Sequence, residues 1–302
     1  MRKTVAAIGI FDGVHLGHRK IIRAAVIARR AMSTAKRIGG RSVVITFDPH
    51  PLKVLRPHKP IPSIMSTAHR VRLIRELGAD ACSVIKFTKK FSNLKPRDFV
   101  KKILVDRFMV LELFVGTNFV FGKGNAGDTA LLKRFGREYG FKVTVVPLVK
   151  VGGKIISSTT IRDLIIRGRL AEASRMLGRP VTVFGTVVSG ASRGRLLGYP
   201  TANIDPHHEA IPPSGVYAVR VRLGNKKFGG ALFIGHRPTF GEREPVIEAH
   251  IFDFRSMIYG EDIEVTFVKR LRGVRKFAGH EKLVEQIRKD DAYARRILSG
   301  KR

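Results

Sequence analysis

One change of pattern along the chain constrains its fold more than any other feature. Up to about residue 150, short apolar runs alternate with helix-type segments; beyond about residue 180, strand-type runs follow one another without helices. Segments 4–11 (TVAAIGIF), 42–47, 81–87, 111–115 and 143–149 read as strands, and 20–37, 69–77, 99–108 and 128–139 as helices. Strand, helix, strand in regular succession implies parallel strands with right-handed crossovers, hence a doubly wound parallel-sheet α/β domain. Two short helices are expected at 160–167 and 171–177, and Leu177-Gly178-Arg179-Pro180 reads as a stop and linker. The strand-type runs that follow are 181–188, 216–223, 227–234, 246–254 and 263–271, with Gly224-Asn225 as a hairpin turn. Strands this close together imply a small antiparallel β-barrel. A helix at 281–298 closes the chain, so the expected domains are 1–178 and 183–302.

Composition narrows the class. No apolar run reaches the roughly 18 residues a membrane-spanning helix needs. The start, Met1-Arg2-Lys3 and then an apolar stretch over 5–11, is too short for a secretory signal and is broken by Asp12. One cysteine, Cys82, excludes an intrachain disulfide and suits a reducing cytoplasm; its strand setting makes it a core residue. The net charge is +33, of which +25 lies in residues 1–180. Such a field attracts anions: nucleic acid, acidic lipid or phosphorylated small molecules. A solvated basic surface is the plain alternative.

Two motifs carry phosphate chemistry. Gly9-Ile10-Phe11-Asp12-Gly13-Val14-His15-Leu16-Gly17-His18 follows the first strand and opens the first helix. Ligands of an open parallel sheet bind beyond the carboxyl ends of its strands. Glycines allow close backbone approach to a phosphate, and a helix N-terminus favours negative charge. Two histidines spaced H-x-G-H then supply donors as charge builds in a transition state. Gly9, Phe11, Asp12 and Gly17 belong to this phosphate-binding turn. The segment is neither a Walker loop nor G-x-G-x-x-G. Ile156-Ser157-Ser158-Thr159-Thr160-Ile161-Arg162 is the second motif. Its hydroxyls suit a helix cap; with Arg162, Ser158 and Thr159 also form a donor set for nucleotide phosphates.

H-x-G-H near the start and S-S-T-x-I-R near the end of an α/β domain resemble the nucleotidyltransferase superfamily. Further segments narrow the likeness: Thr46-Phe47-Asp48-Pro49-His50-Pro51, Val115-Gly116-Thr117-Asn118-Phe119-Val120-Phe121-Gly122, Gly198-Tyr199-Pro200-Thr201-Ala202-Asn203-Ile204, Arg237-Pro238-Thr239-Phe240 and Glu248-Ala249-His250-Ile251-Phe252-Asp253-Phe254. Over nearly its whole length the chain resembles the prokaryotic bifunctional riboflavin kinase/FMN adenylyltransferases, or FAD synthetases. The resemblance implies phosphorylation of riboflavin to FMN in the second domain, then adenylyl transfer from ATP to FMN in the first, giving FAD and pyrophosphate. It implies that His15, His18, Ser158, Thr159 and Arg162 bind ATP phosphates. Asp48, His50, Pro51 and Asn118 would shape the flavin and nucleotide sites, Thr201 and Asn203 would hold Mg²⁺ and ATP phosphates, and Glu248 would be the base. ATP, riboflavin and FMN are then the small-molecule partners, with no specific nucleic acid or membrane and an undetermined oligomeric state. Two alternatives are an enzyme with only the adenylyltransferase half active and a nucleic-acid binder using the basic first domain.

Physical chemistry agrees with these roles. Thr201 and Asn203 are two apart, so an extended segment points both the same way, and neutral oxygens suit Mg²⁺; turn chemistry is the other reading of Thr-Ala-Asn. Glu248 sits in an alternating strand pattern, where a partly buried carboxylate can act as a base near neutral pH; a surface strand position is its alternative. The stretch 190–198 (GASRGRLLG) either covers phosphates or merely connects. Three positions depart from the family pattern: Phe233, Val274 and Asn125. His207-His208, Lys89-Lys90 and Arg295-Arg296 read as loop or solvated positions.

Overall fold

In the computed structural model, residues 3–36, 40–59, 61–190, 198–235 and 246–300 are described, the side chains of 33–36 excepted. The chain divides into two compact units: Met1–Ser63 with Thr67–Ser158, and Ile64–Ser66 with Thr159–Arg302.

The first unit is built on five strands, β1 (Thr4–Ile8), β2 (Arg41–Asp48), β3 (Ala81–Lys86), β4 (Val110–Gly116) and β5 (Lys142–Val146). All neighbours are parallel, in the order β3-β2-β1-β4-β5. The sheet order therefore reverses at β1, as the alternation of patterns predicts. Both faces are covered, which is why β1 is buried along its whole length. Helix α1 (Leu16–Lys36) covers β1, β2 and β4. It starts four residues earlier than its apolar periodicity indicates, so H-x-G-H is partly helical. Helices α2 (Pro51–Leu55) and α3 (Thr67–Glu76) follow β2, and α4 (Lys89–Ser92) follows β3.

The helix expected at 99–108 is compound. A short α5 (Pro96–Phe99) runs into a stretch with π-type hydrogen bonding, Val100–Arg107. Phe108 N–H accordingly donates five residues back to the Ile103 carbonyl. Phe99 and Phe108 are both buried, as expected for packing residues. Helix α6 (Thr129–Tyr139) is capped by Asp128 and ends at Gly140 in the left-handed conformation. Strand β5 stops at Val146, three residues short of expectation, and a small hairpin, β6 (Lys150–Val151) and β7 (Lys154–Ile155), precedes α7 (Ser158–Ile166).

The second unit begins with most of α7 and with α8 (Leu170–Leu177), which Gly178 terminates. A closed antiparallel barrel follows: β8 (Thr182–Val188), β9 (Ala202–Pro206), β10 (Gly215–Leu223), β11 (Lys226–Gly235), β12 (Val246–Ile251) and β13 (Asp262–Arg272). The order among the described residues is β10-β11-β12-β9-β8-β13. Its interior is filled by apolar residues at alternate positions, among them Val183, Val219, Leu232, Ala249, Ile263 and Val265. Two corrections apply. β9 has no strand signature in the sequence, because Ala-Asn-Ile-Asp-Pro is short and polar; only pairing with β8 and β12 makes it a strand. The strand expected over 246–254 ends at Ile251, since the chain turns at Asp253 with φ 58°. Helix α9 (His280–Leu298) docks on the barrel, where Arg272 pairs with Asp290 at 2.7 Å.

Cys82 on β3 is half-buried rather than a full core residue. Burial raises its thiol pKa to about 11, while Arg70 and Arg75 pull the other way. The thiol is therefore protonated at neutral pH and a poor nucleophile. A thiol reagent such as DTNB should modify native Cys82 slowly at pH 7–8, with denaturant restoring the rate of a free cysteine.

Candidate functional site

The first site forms where β1 leaves the sheet. Residues 11–14 make a tight turn in which Phe11, Gly13 and Val14 have φ of 54°, 86° and 39°. Positive φ is unusual for Phe and costly for a β-branched valine. The turn is held from inside: Phe11 and Val14 are buried, and Val14 N–H bonds the Phe11 carbonyl at 3.0 Å. Just before the turn, the Ile10 carbonyl accepts the Thr46 hydroxyl at 2.8 Å.

Immediately after the turn, His15 occupies the cap position of α1. Its Nδ1 accepts the backbone N–H of His18 at 3.2 Å. An Nδ1 that accepts cannot carry a proton, so the imidazole presents N–H at Nε2. The His15 and His18 rings stack with centroids 3.5 Å apart, and Phe11 meets the His18 ring edge-on at 5.3 Å. Gly17 has a role its sequence position does not reveal. A Cβ there would lie 3.1 Å from the His15 ring, so glycine admits the stack. Gly9 similarly clears the Phe11 ring, which a Cβ would meet at 3.0 Å.

Three other segments reach the same edge of the sheet. The Ser158 hydroxyl donates to the Asp12 carbonyl at 2.8 Å across 146 residues. Ser158, the last residue of the first unit, is thereby tied to the turn; in the second unit Thr159 is exposed and Arg162 is buried. Asp48 ends β2, the strand next to β1. The Asp48–Pro49 peptide is cis, Pro51 opens α2, and His50 Nδ1 caps that helix by accepting Leu52 N–H at 3.1 Å. Asn118 lies exposed just past the end of β4, the other neighbour of β1. Turn, helix start and both flanking loops thus sit around the reversal of strand order, where ligand crevices form in open parallel sheets.

The second site is on the outer face of the barrel. Glu248 on β12 stands opposite Asn203 on β9, and Asn203 is also paired with Val188 on β8. Ile247, Ala249 and Ile251 fill the interior, so Glu248 and His250 face outward, both half-buried. Thr201, two residues before Asn203, is half-buried as well. Sequence reasoning missed two neighbours. Phe233 on β11 is directly cross-strand from Glu248, so this departure from the family pattern borders the carboxylate. Gly190 approaches Asn203 so closely that a Cβ would lie 2.0 Å from the amide nitrogen. The motif 237–240 and residues 191–197 of the glycine-rich stretch lie outside the described residues. Among the described residues no cluster of three His, Cys, Asp or Glu is arranged to hold a metal, and no helix is long and apolar enough to cross a membrane.

Two sites in two structural units, one at a parallel-sheet switch point and one on a small barrel, define a two-module phosphate-handling enzyme. Comparison with known proteins makes the class specific. Residues 1–160 match the FAD synthetase family model and residues 177–298 the riboflavin kinase model. A Bacillus subtilis bifunctional riboflavin kinase/FMN adenylyltransferase is 36% identical, covering 99% of this chain and 94% of its own length. The Escherichia coli K12 protein of the same name is 35% identical, with 97% and 92% covered. A crystal structure described as a macrolide-efflux protein from Streptococcus pneumoniae superposes with a TM-score of 0.82 at 32% identity, covering 97% of this chain and 94% of that one. The chain belongs to the bifunctional riboflavin kinase/FMN adenylyltransferase family.

The cap role of His15 is separable from its ring chemistry. His15→Ala should destabilise the first unit by about 1 kcal/mol, whereas His15→Asn should retain the cap and most of that stability. Thermal unfolding of the two variants, followed by circular dichroism, measures the difference.

Proposed function

We propose that residues 1–178 carry adenylyl transfer and residues 183–302 carry the kinase step, so that the chain converts riboflavin to FMN and FMN to FAD. What supports this reading is that each half gathers its own set of polar motif residues. One holds the stacked His15 and His18 at the turn that Ser158 ties down. The other sets Glu248 opposite Asn203. The cytoplasm, where riboflavin and ATP meet under reducing conditions, suits a chain whose only cysteine is Cys82.

In the kinase step the 5′-hydroxyl oxygen of riboflavin attacks the γ-phosphorus of ATP. Glu248 takes the hydroxyl proton and ADP departs. Thr201 and Asn203 bring two neutral oxygens to one side of β9, a donor set that fits Mg²⁺, which takes its other ligands from water and phosphate. Thr201 and Asn203 would hold the ion, which would supply neutralisation of phosphate charge in this step. Asn203 is held for this by ladder pairing on both sides and by the close approach of Gly190.

In the adenylyl step an FMN phosphate oxygen attacks the α-phosphorus of ATP. A new P–O bond forms, the α–β bridge breaks, and pyrophosphate leaves. The attacking phosphate is already anionic, so donors matter more than a base. His15 Nε2–H, His18, Arg162 and the N-terminus of α1 supply them. Gly9, Phe11, Asp12 and Gly17 shape the turn that receives the ATP phosphates, with Ser158 and Thr159 opposite. Asp48, His50, Pro51 and Asn118 flank it and hold the flavin end.

The assignment is tested by incubating the protein with riboflavin, ATP and Mg²⁺ and separating the flavins by chromatography. His18→Ala should stop FAD formation and spare FMN, and Glu248→Gln should stop FMN formation yet still turn supplied FMN into FAD. A single change that abolished both activities in a folded chain would refute the two-site scheme. Gly190→Ala, which displaces the Asn203 amide, should slow the kinase by about tenfold or more and leave adenylyl transfer intact. Asn203→Ala should raise the Mg²⁺ concentration that half-saturates the kinase.

A further inference from the structure

Arg70 on α3 has no role in the scheme above, yet it is only 4% exposed. Its guanidinium joins the residue before the 11–14 turn to the end of β2 and the start of α3. Nη1 donates to the Ile10 carbonyl at 2.9 Å, and Nη2 donates to the Phe47 carbonyl at 2.8 Å and to the Thr67 hydroxyl at 2.9 Å. Thr67 in turn donates to Asp48 Oδ1 at 2.6 Å. The positions of these acceptors matter. Ile10 immediately precedes the 11–14 turn, and Phe47 immediately precedes Asp48. The β1–β2 ladder has its last residue pair at Ile8 and Ile45. Beyond it β2 continues beside β3 to Asp48, and the planar fork of Arg70, together with the Thr46–Ile10 hydrogen bond, ties the chain leaving β1 to the end of β2. Burial lowers the guanidinium pKa, and the Asp12 and Asp48 carboxylates oppose that shift.

We propose that Arg70 is a positioning residue that sets the separation between the ATP-bearing turn and the flavin-bearing turn. The inference rests on the assignment of residues 9–18 to ATP phosphates and of residues 48–51 to the flavin. In-line attack needs the reacting oxygen and phosphorus at about 3–3.5 Å, and a misplacement of about 1 Å costs about a hundredfold in rate. Each turn bears one reactant, so slack between the turns is slack between the reactants. Arg70 acts on the geometry of attack rather than on the affinity of either substrate.

The test compares Arg70→Met, Arg70→Lys and Thr67→Val in the full chain. ATP and supplied FMN are used for steady-state adenylyl transfer, and riboflavin phosphorylation is measured on the same preparations. Arg70→Met should lower kcat for adenylyl transfer by about a hundredfold, change each KM by less than about threefold, and leave the kinase rate unchanged. Arg70→Lys keeps the charge but lacks the fork, and should recover only part of kcat. Three results overturn the proposal: a kcat of Arg70→Met within about threefold of the parent, a loss confined to KM, or full recovery in Arg70→Lys. Should Arg70→Met not fold, Thr67→Val and Arg70→Lys decide, and unchanged kcat in both overturns it. His18→Ala run in parallel keeps the two questions apart. Adenylyl transfer surviving in His18→Ala refutes the site assignment itself, whereas survival in the Arg70 variants alone refutes only the positioning role.

Discussion

Strand order reverses on either side of β1, and the first site exists because of that reversal. Parallel strands all end at one edge, but the chain leaving β1 and the chain leaving β4 depart toward different neighbours, which opens a crevice between them. The segment after β1 must then turn into α1 within a few residues. It does so through three positive φ values, two of them at non-glycine residues, where each costs about 1–3 kcal/mol. That conformation persists because the surroundings over-determine it. Phe11 and Val14 are buried, and the Ile10 carbonyl carries donors from Thr46 and Arg70. The His15–His18 stack and the Ser158–Asp12 bond are built outward from this frame.

The barrel solves a different problem. Its interior is apolar, so polar residues such as Glu248 and His250 are carried on the outside. β9 closes the ring between β8 and β12, and the pairing that closes it also locates Asn203 against Glu248. The same backbone pairing closes the barrel and sets those two residues opposite each other.

Charge has a smaller part than its size promises. Many of the cations are exposed, and several form surface pairs such as Arg167–Asp163 and Lys289–Glu285, which contribute little to stability. Arg70 and Arg162, by contrast, are buried. Nothing in composition separates these two from the other 55 Lys and Arg, since the chain holds 57 in all.

Much was legible in the sequence because it is local. Apolar periodicity placed β1 to β5 and most helices, since burial of one face leaves a period in the residues. H-x-G-H and S-S-T-x-I-R read as phosphate chemistry from residue type and spacing, whereas the Thr-Ala-Asn and Glu-Ala-His segments take their roles only from the family resemblance that the order of the motifs carries. Other features depend on distant partners and left no local trace. β9 is a strand only through pairing; Phe233 meets Glu248 only through the β11–β12 register; Gly17 and Gly190 are needed for rings and amides that lie against them. Arg70 reads as an ordinary polar position in a helix until folding carries two strand ends to it. The sequence by itself determined which groups the protein has and the class of reactions they serve. Tertiary structure decided which of those groups meet, because hydrogen bonds and contacts act over a few ångströms in space, whatever the separation along the chain.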